Sequence, residues 1–300
     1  MWLILAFASA GLLGFYDVAK KQALKENAVL PVLLLNTFFS TLLFSPILAS
    51  AVGGWDWFSS TPFHCGVGTL GGHILVAGKS LIVLLSWICG YCALKHLPLT
   101  IVGPINATRP VMVLMGAMLI YGERLNVYQW IGVVLAIFSL FLLGLSSRKE
   151  GVDFGHNRWI WLLGAAAVLG ACSGLYDKFV SRQLDPMFVQ SWYTLYQFSM
   201  MSVAVAILWL PLRGRTTPFR WSWAIPLISL FLSAADLCYF FSLSHSEAMI
   251  SVVSMVRRGS VVVSFLFGAL LFRERNLKAK IIDLALILIG MIFLWIGSMA

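Results

Sequence analysis

Two stretches decide how this chain is read: GFYDVAKKQAL at residues 14–24 and GLYDKFVSRQL at residues 174–184. Each sets Gly, an apolar residue, Tyr and Asp together near the end of a long apolar run. They lie 160 positions apart in a chain of 300 residues. A carboxylate in such surroundings is costly unless it reaches water or a partner. Meeting the same arrangement twice points to a duplicated unit, and self-similarity is weighed before any local motif.

The composition around these stretches excludes a water-soluble domain. The chain is 60% apolar and 11% charged, with a mean hydropathy of +0.90. Soluble domains carry about a quarter charged residues, so this chain cannot coat a water-facing surface. It reads as an all-α integral membrane protein. Its 12 Trp, 8 Tyr and 21 Phe suit rings that favour the headgroup level. The net charge of +9 reads as basic connections rather than a nucleic-acid surface, because no basic patch with a binding motif appears. Most of the five cysteines lie in apolar runs and read as small packing residues, not as a disulfide framework. The start, MWLILAFASAGLLGFYD, lacks a basic leader region and runs on as a full helix, so no cleaved signal is expected.

A span needs roughly 20 apolar residues. Marked by their interruptions, the candidate spans are 2–22, 30–52, 74–94, 98–121, 127–146, 159–180, 188–210, 223–244, 248–272 and 279–298. Segment 53–73 reads as interfacial, with the third span able to begin inside it. Ten spans leave no room for a soluble catalytic domain. Of the 21 Lys and Arg, 14 fall in the connections after spans one, three, five, seven and nine, and 3 on the opposite side. The positive-inside rule then sets both termini outside the cytoplasm of a multi-pass protein of the cell (inner) membrane.

A second pair of segments strengthens the repeat. TRPVMVLMGAMLIYGERLNVYQWIG (108–132) and RRGSVVVSFLFGALLFRERNLKAKIID (257–283) each run an apolar helix into a Glu-Arg pair, a polar link and a last apolar span. His96 and His245 stand upstream with a two-residue slip. The reading is two five-helix units, 1–147 and 159–300, joined by a loop at 148–158. An odd number of spans per unit forces opposite orientation. Inverted repeats around a central cavity characterise secondary transporters, with the site at the interface near the bilayer midplane.

These units resemble tandem EamA-like domains of the drug/metabolite transporter (DMT) superfamily. The first copy matches better, with Pro110 thirteen residues before Glu123 of YGERL and then QWIGVVLAIFSLFLLGL. The second keeps FRERN, has Val261 where Pro would stand, and replaces the Gln-x-Ile-Gly start with KIIDLALILIGMIFLWIG. The resemblance implies a ten-helix basket around a central cavity that moves small metabolites, often outward. It also implies cytoplasmic termini in many members, which the charge bias here opposes.

Ionisable residues inside spans are candidate functional groups. Arg109 beside Pro110, and Arg257 and Arg258 in the partner span, lie too deep to reach water easily. A mid-helix proline would kink the span, and guanidinium forks match carboxylates or phosphates. Asn106 shares a helical face with Arg109. Arg109, Asn106, Arg257 and Arg258 are therefore the substrate-binding candidates, with pairing to Asp236 or Glu247 as the competing role. Asp236 has no partner within its own helix and is the candidate coupling residue. Asp17 and Asp177, beside Tyr16 and Tyr176, read as gating residues or end-of-helix anchors, one at each mouth of the pathway. Lys20 and Lys21 are helical partners for Asp17, and Lys178 and Arg182 poorer ones for Asp177. Lys79 reads as opening a short third span. Trp87, Tyr91, Tyr239 and Phe240 are candidate wall residues, and Asp283 an interface anchor.

Other motifs fail their context. GVGTLG (66–71) follows no strand of a βαβ unit, CGYC (89–92) and NAT (106–108) lie in apolar spans, and no Walker A loop or H-E-x-x-H run occurs. No metal, cofactor or enzymatic activity is expected. The expected partners are the bilayer, a small-molecule substrate and a proton or counter-ion, in a monomer or dimer. The expected function is secondary transport, outward for preference, of a small metabolite bearing an anionic group. The alternatives are a carrier of a phosphorylated compound such as a nucleotide sugar or lipid-linked phosphate, and a passive channel or structural membrane protein.

Overall fold

The computed structural model describes residues 1–24, 27–55, 57–58, 60–94, 105, 108–145, 158–215, 217–260, 263 and 277–299. Among them are ten α-helices and no strand. These are α1 (Trp2–Leu24), α2 (Val29–Gly53), α3 (Leu70–Leu94), α4 (Arg109–Tyr121), α5 (Val127–Leu145), α6 (Arg158–Ser181), α7 (Pro186–Leu208), α8 (Ala224–Ser244), α9 (Ile250–Arg257) and α10 (Leu277–Met299), with a 3-10 helix at Leu210–Arg215. Five of the ten, α1, α2, α3 (over Leu70–Gly90), α6 and α8, are long and apolar enough to cross a bilayer. Three of the other expected spans differ for identifiable reasons. The described helices α4 and α9 have 13 and 8 residues, and much of runs 98–121 and 248–272 lies outside the described residues. Helix α7 is 23 residues long, but Gln190, Ser191, Thr194 and Gln197 dilute its apolar character.

Local signals set the helix ends. Asp185 caps α7, its carboxylate accepting from the Met187 and Phe188 amides at 2.8 and 3.3 Å, and Pro186 takes the first turn, where no amide donor is missed. Asn126 and Gln129 form a reciprocal box at the start of α5. The Gln129 amide donates to Asn126 Oδ1 at 2.9 Å, and the Asn126 amide to Gln129 Oε1 at 3.0 Å. Helix α3 starts at Leu70, four residues before the expected span. The chain before it uses its glycines for packing: Gly68 has φ +74°, and a Cβ there would lie 2.2 Å from the Phe188 ring.

Helix α1 packs along α8, and α3 along α6. Helix α2 crosses α7, and α5 runs along α10. Helix α4 touches α6 and α9, and α9 touches α1. Small residues and hydroxyls let backbones approach, as apolar helices in lipid require. Ser9 Oγ donates to the Ala235 carbonyl at 2.7 Å across α1–α8, and Ser86 Oγ to the Ala166 carbonyl at 2.8 Å across α3–α6. At the α5–α10 seam a Cβ on Gly132 would meet the Gly290 carbonyl at 2.7 Å. Large apolar side chains such as Ile4, Leu42, Leu119 and Ile207 point outward, as lipid contact needs and water would penalise.

Candidate functional site

The sequence YGER ends α4 in a specific way. Gly122 adopts the left-handed conformation (φ +63°), and its amide bonds back to the Ala117 carbonyl. That turn carries Glu123 to the start of α9. There the carboxylate accepts from the Ile250 amide at 2.8 Å, the Ser251 amide at 3.2 Å and Ser251 Oγ at 2.5 Å. A carboxylate at a helix N-terminus satisfies orphan amides and complements the helix dipole. So the Glu of the repeated Glu-Arg motif fixes the helix that presents Arg257 and Arg258. Lys178 is fully buried nearby and donates to the Ala248 carbonyl in the turn before α9.

Helices α1, α4, α6, α8 and α9 enclose a cavity of about 380 Å³. Arg109, Arg257 and Arg258 line it, together with Lys20. Two carboxylates face it among the described residues, Asp17 and Asp177. Ser173, Ser254 and Ser260 add hydroxyls, and Tyr16 and Tyr239 aromatic walls.

The charges divide into paired and open groups. Lys79 Nζ bonds Asp177 Oδ1 at 2.6 Å, with side-chain exposures of 4% and 9%. Tyr239 donates to the other Asp177 oxygen at 3.1 Å, and the Lys79 ammonium lies 4.3 Å from the Tyr193 ring and 4.5 Å from the Phe240 ring. Arg257 bonds Asp236 Oδ1 at 2.8 Å and stacks 4.0 Å from the Tyr239 ring. Arg109 reaches no carboxylate among the described residues. Its guanidinium donates to the Ala166 carbonyl at 3.1 Å, and its Nε has no hydrogen-bond partner there. Gly170 makes room for it: a Cβ would lie 2.9 Å from the guanidinium carbon. Arg258 sits among Arg109, Arg257 and Asp17 and makes no salt bridge among the described residues. Among the described residues in and just behind the cavity wall, five cations (Lys20, Lys79, Arg109, Arg257, Arg258) stand with three carboxylates (Asp17, Asp177, Asp236).

The geometry revises several expectations. Asp17 and Asp177 both line one cavity. Helix α1 runs to Leu24 and α6 to Ser181, so the aspartates lie about two turns and one turn inside their helices. Lys79 does not open a span. With α3 starting at Leu70 it lies deep in the helix, and it serves Asp177 in place of Lys178 and Arg182. Arg182 instead stacks 5.1 Å from the Tyr121 ring. Pro110 is not a mid-helix kink but sits in the first turn of α4, where proline costs no hydrogen bond. Asp236 takes the counter-ion role to Arg257, whereas Glu247 is exposed. Tyr176 donates to the Leu75 carbonyl at 3.2 Å, a helix–helix tie. Tyr16 faces the cavity with the Lys20 ammonium 5.4 Å from its ring. Asn106 lies outside the described residues, as do Lys95 and His96. The Lys79–Asp177 pair and the Glu123 cap escape sequence reading because they join residues 98 and 127 positions apart, with no local spacing to betray them.

Residues 1–145 match the model of the EamA-like transporter family. No curated protein matches the chain. A solved crystal structure is similar over 99% of this chain and 96% of its own, at 16% identity with a TM-score of 0.72. At that identity the likeness shows the fold alone.

Proposed function

We infer, from the premise that residues 1–145 belong to the EamA-like transporter family, a family of membrane transporters of small molecules rather than of enzymes, that this protein is a secondary carrier of a small metabolite bearing a carboxylate or phosphate. The observation that carries the reading is the convergence of Arg109, Arg257 and Arg258 on one cavity in which, among the described residues, cations outnumber carboxylates. Guanidinium forks bind such groups bidentately. In a low-dielectric interior a surplus of positive charge favours an anionic guest.

The carrier is built as two inverted five-helix repeats, 1–147 and 159–300, joined by a loop at 148–158. The helix pairings support this. Exchanging the first five helices for the last five turns α1–α8 into α6–α3 and α4–α6 into α9–α1. It maps α2–α7, α4–α9 and α5–α10 onto themselves, and all of these pairings occur. Such symmetry suits alternating access by rocking of one half against the other.

The burial pattern bears on direction. In the cavity wall Asp177, Tyr239 and Ile250 are buried, whereas Tyr16, Asp17 and Lys20 are half-buried. The Lys79–Asp177–Tyr239 cluster therefore acts as a closed gate, and solute enters from the Lys20 end. The Lys and Arg bias favours the cytoplasm for that end, with both termini outside it. With Lys79 buried in α3, its removal from the opposite side's count sharpens that bias. Outward transport follows, driven by an ion gradient or by exchange.

A melting-temperature screen of the purified protein against organic acids, sugar phosphates, amino acids and nucleosides tests the substrate class. Stabilisation is expected to cluster among compounds with net negative charge. Stabilisation by neutral or cationic compounds alone would discard the anion reading.

A further inference from the structure

A second, smaller cavity lies between α2, α7 and α8, behind Asp236. Its volume is about 20 Å³, room for one guest of water size or smaller. Its wall mixes polar side chains with apolar and aromatic ones. Asn36, Gln190 and Gln197 line it at 1%, 1% and 2% exposure. The side-chain carbonyl oxygen of each is buried and has no donor among the described residues. For Gln197 the amide orientation is set by its nitrogen, which donates to the Ser80 carbonyl at 3.1 Å and Tyr193 Oη at 3.3 Å. Ser40 and Asp236 also line it, as do Thr37, Thr194, Ser233, Trp87, Tyr193 and Leu232. Asp236 meets Arg257 through Oδ1.

Three buried acceptors without donors are expensive to maintain. Water could serve as donor to two of them at most. A cation serves all three, and oxygen ligands are what a hard cation takes. We propose that Asn36, Gln190, Gln197, Ser40 and Asp236 form a site for a monovalent, sodium-sized cation. Several neutral oxygens with a single carboxylate, itself shared with Arg257, match one positive charge better than two. The described residues also hold no cluster of three His, Cys, Asp or Glu of the kind a divalent metal would use.

The site has a consequence for transport, which rests on the anion-carrier reading above. A cation beside Asp236 weakens that carboxylate's hold on Arg257. Arg257 lines the large cavity and becomes available to an anionic solute. Cation and solute then bind cooperatively, and by linkage each raises the affinity of the other.

The test needs no solute, so its outcome is separate from that of the anion reading. Melting of the purified, detergent-solubilised protein is measured in sodium, lithium, potassium and choline chloride at matched ionic strength. Sodium should raise the midpoint by about 2 °C or more over choline, with saturation. Equal midpoints in all four salts overturn the proposal and leave an ordered water as the occupant. Gln190→Leu should flatten the sodium response, and a full response in that variant places the ion elsewhere and overturns it. Should Gln190→Leu not fold, Asn36→Asp decides. The added carboxylate should lower the half-saturating sodium concentration about tenfold, and an unchanged value overturns the assignment.

Discussion

Lys79→Met is expected to destabilise the protein more than any other single change to a polar side chain. The substitution keeps the stem that packs between the Tyr193 and Phe240 rings and removes only the charge. It leaves Asp177 buried with Tyr239 as its remaining donor. Breaking a buried pair by removing one partner costs about 3–5 kcal/mol, because the surviving charge is uncompensated. Replacing both partners relieves most of that cost. Unfolding by denaturant in detergent should therefore show a large loss for Lys79→Met and substantial recovery for Lys79→Met/Asp177→Asn. A double variant no more stable than the single one would mean that the pair is not the source of the loss. The comparison also bears on the gate: the double variant keeps the packing and loses the lock.

The second large effect is on ligand binding. Arg109 and Arg258 approach the cavity from α4 and from the end of α9, and among the described residues neither is ion-paired to a carboxylate. Hydrogen bonds to charged groups contribute about 1.5–3 kcal/mol each, or about tenfold or more in affinity. Arg109→Ala and Arg258→Ala should each weaken an anionic ligand by about tenfold, and the double variant by about a hundredfold. Affinity for the same ligand within twofold of the parent in the double variant would remove both arginines from the site. Arg257→Ala differs in kind, because it also strands Asp236. Its loss of affinity should come with a loss of stability that the other two do not show.

Much of the fold is legible in the sequence because membrane helices announce themselves by length and hydropathy. GFYD and GLYD lie toward the C-terminal ends of α1 and α6, and Glu123-Arg124 follows α4. The deep arginines were legible for the same reason: a charge in an apolar run has few explanations. What escaped was pairing. Asp177 finds Lys79 across α3–α6, and Glu123 finds the first turn of α9 across the two halves, so neither contact has a spacing. Pro110 misled because proline looks alike in sequence at a helix start and at a kink. The amide oxygens of Asn36, Gln190 and Gln197 were invisible because one Asn or Gln in a span says little until its neighbours are known. The opening aspartates changed most in meaning. Expected at the two mouths of one pathway, both face the same cavity.

The central claim is that this cavity carries an anion across the membrane by alternating access. Its most direct test is flux of a stabilising anion into proteoliposomes, with and without the same compound trapped inside. Uptake should saturate with concentration, accelerate when unlabelled solute is trapped inside, and fall by at least tenfold in Arg109→Ala/Arg258→Ala. Uptake that rises linearly without limit and ignores trapped solute would contradict that claim and make the protein a passive pore.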